Sequence, residues 1–237
     1  MALLLIIFLF GAVLYFGFRT SKVAEQNRLW VAMAKETAHQ IGTPLSSMLG
    51  WTTLMREKEK ESTPLKEIEK DIDRLQIITD RFSKIGSKPL LNKNDIVRVV
   101  ENTVGYLKKR TSDQVHFNLE LPELPIFIHH NPQLIGWTLE NLIKNGIDAM
   151  KGKGVLSVAL IDFEKHISIR ISDNGIGIKK EAVRKIFSPG FTTKKRGWGL
   201  GLSLAKRIVV DYHNGKINVK KTALGKGTTF QILLLKS

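Results

Sequence analysis

The sequence predicts an α+β protein in three parts, and three observations carry that prediction. An uncharged apolar run covers residues 2–18, two amphipathic helical patterns follow over 19–88, and strand-like alternation interleaved with helices fills 89–237. We therefore expect an N-terminal transmembrane helix at 1–18, a helical hairpin at 19–88, and an α/β sandwich with helices on one face of a mixed sheet at 89–237. With 43% hydrophobic residues, the chain can bury a real core.

The apolar run ALLLIIFLFGAVLYFGF is followed at once by Arg19 and Lys22. At about 1.5 Å per residue it spans roughly 26 Å as a helix, near the lower limit for crossing a bilayer. A cleaved signal peptide is the competing interpretation, but a basic n-region and a small-x-small cleavage pattern are both missing. We expect a membrane anchor whose C-terminal side is cytoplasmic, because positive charge follows the span. Since the chain starts inside the run, we expect a longer parent protein.

Composition narrows the function classes. The absence of cysteine excludes disulfides, thiolate metal sites and cysteine nucleophiles. The net charge is +15, but the lysines are scattered, without a basic stripe interleaved with aromatics, so nucleic-acid binding is not predicted. Anionic lipid near a membrane-proximal domain, or an acidic partner surface, suits this charge.

The helical hairpin carries one unusual segment, HQIGTPLSS, beginning at His39. Thr43 lies four residues after His39 and shares its helix face, and Pro44 should bend the helix. A histidine on a helix is by itself more often a packed or solvent-facing residue than a nucleophile. The second helix has an apolar stripe at spacings of three and four: Leu65, Ile68, Ile72, Leu75, Ile78, Phe82 and Ile85. One copy does not close this stripe, so two copies should form a four-helix bundle.

Beyond Gly86 a linker containing Pro89 leads into the third part, with Asn94 or Asp95 as a candidate helix cap. The pattern predicts a helix at 96–109. It also predicts strands at 115–120, 155–161, 166–171, 217–220 and 229–235. The histidines of this part have no ligand spacing and are interpreted as structural.

Two glycine clusters, DNGIG from Asp173 and GWGLG from Gly197, bracket a segment with Phe187, Phe191 and a basic run at 194–196. Glycines let backbone approach a ligand closely, and GWGLG enters an amphipathic helix whose first amides can face phosphate. Either cluster alone is more typical of ordinary turns. Together they outline a nucleotide site.

A third element lies upstream on a predicted helix, where Asn141 and Asn145 are four residues apart and share a face. The apolar side of this helix consists of Ile135, Leu139, Leu142, Ile143 and Ile147. The asparagines are thus free to point elsewhere. Their carbonyl oxygens suit Mg²⁺, which takes few protein ligands and mostly phosphate and water.

In this order, the asparagine helix, DNGIG, the phenylalanine-containing segment, GWGLGL and GKGTTF resemble the ATP-binding domain of bacterial sensor histidine kinases. That domain belongs to a superfamily with gyrase, Hsp90 and MutL. HQIGTPLSS resembles the phosphoacceptor box of the same family, whose dimerisation domain is a four-helix bundle. The resemblance covers residues 19–88 and about 92–237.

The resemblance implies a role for each site residue. Asp173 would hydrogen-bond the adenine amino group, with Gly175 and Gly177 passing close to the base. Asn145 would ligate the Mg²⁺ that bridges the phosphates, beside Asn141. The other implied ATP-binding residues are Asp148, Lys194, Arg196, Gly197, Gly199, Leu200, Gly201 and Thr228. For Lys194 and Arg196 a solvated charge run is nearly as good an interpretation.

The implied catalytic residues are His39, Gln40 and Thr43. The family usually places an acidic residue directly after the histidine, whereas this chain has Gln40. An amide can accept a ring N–H but cannot take the proton, so we expect kinase activity to survive at a lower rate. Thr43 matches the position that helps to place water for dephosphorylating the partner regulator.

The resemblance thus implies a homodimeric sensor histidine kinase at the inner (cytoplasmic) membrane, with its catalytic part in the cytoplasm. It would autophosphorylate from Mg-ATP and pass the phosphoryl group to an aspartate of a response regulator. Two alternatives stay open. An ATPase of the same superfamily would usually need a glutamate base where Asn141 stands, and a catalytically silent dimeric membrane scaffold is favoured only by Gln40.

Overall fold

In a computed structural model, the chain forms two compact units, residues 1–88 and 89–237. The structure describes residues 2–58, 63–83, 89–194 and 199–236; the side chains of residues 19–40 and of Thr43 lie outside this description. Each unit is described by itself.

The first unit is an antiparallel helical hairpin. Helix α1 (Ala2–Lys58) continues through Pro44, so the predicted apolar segment and the histidine-bearing helix are one element; α2 spans Thr63–Ser83. A Cβ on Gly42 would lie 3.7 Å from Cγ2 of Thr79, while Arg56, further along α1, pairs with Glu69, earlier in α2. The two helices therefore run in opposite directions.

Only part of the predicted apolar stripe is covered within this hairpin. Leu65 and Ile72 are buried, with Leu45 of α1 packed in the same unit, whereas Ile68 is 48% and Leu75 is 40% exposed. The side chains of Ile78, Phe82 and Ile85 fall outside the description. One copy thus leaves apolar side chains in water, as the sequence predicts.

Residues 2–18, for which we predicted a transmembrane helix, form the start of α1. Across the described residues, no helix combines the length and the apolar character needed to cross a membrane. The predicted span is therefore not confirmed.

The second unit contains seven strands and four α-helices among its described residues. In chain order they are β1 (Asn92–Asp95), α3 (Ile96–Lys108), β2 (Val115–Glu120), β3 (Phe127–His130), α4 (Pro132–Ala149), β4 (Gly154–Asp162), β5 (His166–Asp173), α5 (Lys180–Val183), α6 (Gly201–Arg207), β6 (Lys216–Ala223) and β7 (Gly227–Leu235). A π-helical turn, Ile208–Tyr212, extends α6.

Five strands form a mixed sheet in the order β2-β4-β5-β7-β6, in which only β2 and β4 are parallel. Inward side chains alternate along the central strands, for example Ile167, Ile169 and Ile171 of β5, each at most 2% exposed. The buried residues Val100 of α3 and Leu139 of α4 belong to the helical layer. This α/β sandwich confirms the predicted architecture of the C-terminal part.

Local chemistry fixes where the two long helices start. The side chain of Asp95 accepts from the N–H of Val97, so the predicted cap of α3 is Asp95 and not Asn94. Asn131 caps α4 by accepting from the N–H of Leu134, and Pro132 occupies the first turn, where a missing N–H costs nothing.

Three short elements of the second unit are not predicted by the sequence pattern. Strands β1 and β3 pair with each other in a separate two-stranded sheet, from Asn92 opposite His130 to Asp95 opposite Phe127. Helix α5 is a single turn. Each is too short to show a period, and β1 and β3 are identified only by their pairing with each other.

Two histidines are buried beside this small sheet. His213 donates from Nδ1 to the carbonyl of Ile208 (2.7 Å) and accepts at Nε2 from the N–H of Asn131 (3.1 Å). His130 donates from Nδ1 to Ile128, and its Nε2 has no hydrogen-bond partner among the described residues. Burial lowers the pKa of His130. Burial, and to a smaller extent the nearby ring of His130, lower the pKa of His213. Both rings are therefore held neutral by the fold.

We expect this pair to make the fold acid-sensitive. Because both pKa values are lower in the folded than in the unfolded state, stability is full above about pH 6.5 and falls as acid protonates the unfolded chain first. The limiting slope is roughly 1.4 kcal/mol per pH unit for each histidine. Urea unfolding followed by circular dichroism from pH 7.5 to 5.5 measures it, and His213→Gln should reduce the slope. A flat profile for the unmodified chain would contradict the prediction.

Candidate functional site

The candidate site is built around the C-terminal half of α4. The helix buries Leu139, Leu142 and Ile143 against the core. That packing turns Asn141, Asn145 and Asp148 away from these residues, because a period of 3.6 puts them on another face. The shared face inferred for the asparagines is therefore present in the structure.

Asn141 has an unfulfilled hydrogen-bonding group. Its Nδ2 is buried and has no partner within the described part of the chain. A Cβ on Gly201, the first residue of α6, would lie 3.3 Å from Asn141 Oδ1. Asn141 and the second glycine cluster are thus brought together, and a buried amide without a partner suits a ligand that accepts a hydrogen bond.

Asn145 and Asp148 both bind the side chain of Lys194. The Lys194 ammonium donates to Asn145 Oδ1 at 2.9 Å and to Asp148 Oδ2 at 2.6 Å. Lys194 lies 46 to 49 residues further along the chain. The Asn145 carbonyl oxygen therefore points to a position where positive charge is accommodated, as a magnesium ligand requires.

Asp173 ends β5 and is only 9% exposed. Its Oδ1 accepts from the N–H of Gly175 at 2.9 Å. Burial raises the pKa of this carboxyl, and the backbone N–H groups of Gly175 and Thr228 oppose that shift. The carboxyl also faces α4, because a Cβ on Gly146 would lie 3.7 Å from its Oδ2. A buried acid with a perturbed pKa beside a glycine loop is a strong candidate for ligand recognition.

The glycines of the first cluster are needed for packing within the protein. A Cβ on Gly175 would lie 2.5 Å from the carbonyl of Ala149, at the end of α4. Gly177 has a φ of +73°, and its Cβ would lie 2.1 Å from the Ala223 oxygen. We expected these two glycines to pass close to a base. In the structure, the atoms that leave no room for a side chain at either glycine belong to the protein backbone.

Two positioning residues escaped the sequence analysis. Asn174 accepts from the N–H of Val155 at 3.0 Å, and Thr222 accepts from the N–H of Ile178 at 2.9 Å. The Thr222 hydroxyl also contacts that of Thr228 at 3.0 Å. These bonds tie the Asp173 loop to neighbouring strands. Sequence separations of 19 and 44 residues left no local signal for them.

The second cluster is described in part. Gly199 has a φ of +66°, and a Cβ there would lie 2.5 Å from the backbone of Gly190. Leu200 immediately precedes α6 and accepts from Leu204 N–H at 3.0 Å. Arg196 and Gly197 lie outside the described residues, so their predicted contacts with phosphate stay predictions.

His39, Gln40 and Thr43 lie on α1, in the other unit. Their side chains are outside the description. Their predicted catalytic roles therefore stay predictions.

The candidate site offers oxygen ligands to a cation. Among the described residues, no group of three or more His, Cys, Asp or Glu side chains could hold a metal ion. Asn145 Oδ1, which accepts from the Lys194 ammonium, is the kind of hard oxygen ligand that Mg²⁺ prefers.

Comparison with known proteins shows what the C-terminal part of the chain is similar to. Residues 130–237, which contain α4, Asp173 and both glycine clusters, match the family "Histidine kinase-, DNA gyrase B-, and HSP90-like ATPase". Residues 130–237 belong to that ATPase family. Over most of its length the chain is similar to sensor histidine kinases.

The similarity to two curated relatives extends beyond residues 130–237 into the helical hairpin. Sporulation kinase D of Bacillus subtilis (strain 168) is 30% identical over 225 residues, covering 91% of this chain and 44% of the relative. Sensor histidine kinase ZraS of Escherichia coli (strain K12) is 31% identical over 213 residues, covering 85% and 44%. The chain spans less than half the length of these relatives.

Solved structures give the same fold. The catalytic domain of histidine kinase ThkA is 26% identical with a TM-score of 0.57, covering 62% of this chain and 95% of that domain. ThkA in complex with response regulator protein TrrA matches with a TM-score of 0.59 at 23% identity, over 90% of this chain and 64% of that chain. This chain therefore shares the fold of these proteins.

Proposed function

We propose that this protein is a sensor histidine kinase that transfers the γ-phosphoryl group of Mg-ATP to His39 and then to an aspartate of a response regulator. The observation that carries the proposal is the placement of three residues around α4: Asn141 and Asn145 share one face of the helix, and the Asp173 carboxyl lies beside Gly146 of the same helix. They belong to the segment that matches a family of ATPases including histidine kinases. The homology of the hairpin adds support.

In this proposal each described residue has a separate task. The Asp173 carboxylate accepts a hydrogen bond from the adenine amino group, and the Asp173 loop fixes the depth of the base. The free Nδ2 of Asn141 donates to phosphate oxygen. Asn145 would be a protein ligand for Mg²⁺, which supplies charge neutralisation on the phosphates when bound.

The proposed acceptor is the neutral imidazole of His39. A ring nitrogen attacks the γ-phosphorus, the bond to the ADP oxygen breaks, and the ring proton is lost. Gln40 cannot take that proton, so it would pass to water. Phosphoryl transfer depends mainly on positioning and charge neutralisation, which makes the chemistry feasible without a carboxylate base.

A response regulator is the proposed second partner, because ThkA, whose fold matches over 90% of this chain, forms a complex with response regulator TrrA. A homodimer is proposed as well. Trp51 is 63%, Leu54 53%, and Ile68 48% exposed on the hairpin, and a second copy would remove this apolar surface from water. Sedimentation equilibrium of the hairpin-containing chain measures the dimer directly; a monomer at high concentration would refute it.

The decisive test is incubation of the fragment from Ser21 onward with γ-labelled ATP and Mg²⁺. We expect covalent label that is labile in acid and stable in alkali, as a phosphorylated histidine is, and no label when the metal is chelated. Free phosphate without labelled protein would favour the ATPase. Bound nucleotide with neither product would favour the scaffold, and both results contradict the kinase.

A further inference from the structure

Lys194 makes a contact that the proposed kinase chemistry leaves unexplained. It belongs to the segment between α5 and α6, and its backbone N–H donates to Thr192 Oγ1 at 3.1 Å. Its ammonium reaches across to α4 and binds two oxygens there, Oδ1 of Asn145 and Oδ2 of Asp148. A lysine assigned to phosphate is therefore held elsewhere in the free protein.

The two oxygens form a matched pair. Asn145 and Asp148 are three residues apart on α4, and such residues are neighbours on a helix surface. One oxygen is an amide carbonyl and the other a carboxylate, and both are hard ligands of the kind that Mg²⁺ prefers. The lysine ammonium is thus a monovalent cation occupying a pair of oxygens suited to a divalent one.

We propose that Asn145 and Asp148 form one divalent-cation site, that Asp148 is its charged ligand, and that Lys194 fills the site until Mg-nucleotide displaces it. This inference rests on the proposed function, because the phosphates must complete the coordination. It assigns Asp148 a role toward the metal and gives Lys194 an inhibitory role before nucleotide binds.

Charge explains why Asp148 matters. Asn145 alone offers a neutral oxygen, and no cluster of three metal-binding acidic or histidine side chains exists among the described residues. The Asp148 carboxylate supplies a negative charge next to that oxygen. Replacing it with an amide keeps the shape and removes the charge, which should weaken a divalent ion more than a neutral ligand.

The inhibitory effect of Lys194 should be modest. Its side chain is 46% exposed and that of Asp148 is 57% exposed, so water screens the pair. Ion pairs of this kind correspond to at most about a fivefold change in an equilibrium constant. The lysine should therefore raise the Mg²⁺ concentration needed for nucleotide binding by about two- to fivefold.

The test is calorimetric titration of the chain, in mild detergent, with ADP at a series of Mg²⁺ concentrations. ADP avoids phosphoryl transfer, and the measured quantity is the Mg²⁺ concentration that gives half of the metal-dependent gain in ADP affinity. The variants are Lys194→Met, Asp148→Asn and their combination. Lys144→Met is the matched control, because Lys144 pairs with Glu140 on the same helix and touches neither oxygen.

We expect Lys194→Met to lower the Mg²⁺ midpoint two- to fivefold and Asp148→Asn to raise it several-fold, with Lys144→Met within error of the unmodified chain. In the Asp148→Asn background, Lys194→Met should have a smaller effect, since the two residues are in contact. A Lys194→Met midpoint that is unchanged or higher overturns the inhibitory role. An unchanged midpoint in Asp148→Asn overturns the ligand role.

Metal-free ADP binding keeps the two proposals separate. Suppose the unmodified chain binds ADP, and the Lys194→Met and Asp148→Asn variants have the same Mg²⁺ midpoint as the unmodified chain. This inference then fails and the proposed function stands. If the chain binds no ADP with or without Mg²⁺, the proposed function fails and this inference fails with it. Circular dichroism unfolding of each variant verifies that the fold is kept.

Discussion

Replacing His39 with alanine should reduce covalent labelling by γ-labelled ATP to background. His39 is the proposed acceptor, and alanine has no nitrogen lone pair to attack phosphorus. Nucleotide binding should be unchanged, because the candidate nucleotide site lies in residues 89–237 and His39 lies on α1. The measurement is acid-labile label on the protein together with calorimetric affinity for Mg-ADP.

The matched control for this experiment is His116→Ala. His116 lies on the edge strand β2 and is exposed, so its removal should leave labelling intact. Label that persists in His39→Ala would place the acceptor elsewhere and refute the assignment. Loss of label in both variants would indicate a general fault in the protein and not a specific acceptor.

Replacing Asp173 with asparagine should weaken ATP binding by roughly 10- to 100-fold. The carboxyl is 9% exposed at the end of β5, and the proposed bond to the adenine amino group is one to a charged acceptor, which is worth about 1.5–3 kcal/mol. Calorimetry with ATP and with inosine triphosphate, which lacks the amino group, tests the contact itself. The unmodified chain should prefer ATP, and the variant should lose that preference.

Stability provides the control for Asp173→Asn. Because burial raises the pKa of Asp173 above its unfolded value, ionisation costs stability as the pH rises above the unfolded pKa, and the full cost is present above the folded pKa. An uncharged amide removes that cost, so the thermal midpoint at neutral pH should not fall. Asp162→Asn, at the surface beside Lys236, should leave ATP affinity unchanged. Equal binding of both triphosphates by the unmodified chain would refute the adenine contact.

Much of the C-terminal fold followed from the sequence because its elements are long and periodic. The alternation predicted strands at 155–161 and 166–171, and the structure places β4 and β5 over 154–162 and 166–173. The cap chemistry of α3 was narrowed to two residues, of which Asp95 is the one used. Periodicity reports burial of one face, so it locates elements well and their exact ends less well.

The sequence did not predict the shortest strands or the contacts between distant segments. Strands β1 and β3 of four residues each have too little pattern to predict. The two buried histidines come from distant parts of the chain. His213 follows the π-helical turn and accepts from the N–H of Asn131, which lies 82 residues earlier and next to His130. A sequence pattern does not show that residues so far apart in the chain are close in space.

The sequence by itself determined the residue types of the candidate nucleotide site: two asparagines on one helix face and an aspartate before a glycine loop. It also predicted the resemblance to sensor histidine kinases, because the order and spacing of these motifs are local properties. Only the tertiary structure decided that Lys194 binds Asn145 and Asp148 and that Thr222 holds the Asp173 loop. Those contacts join segments more than 40 residues apart in sequence, so local patterns carry no signal for them and only the folded chain brings the partners together.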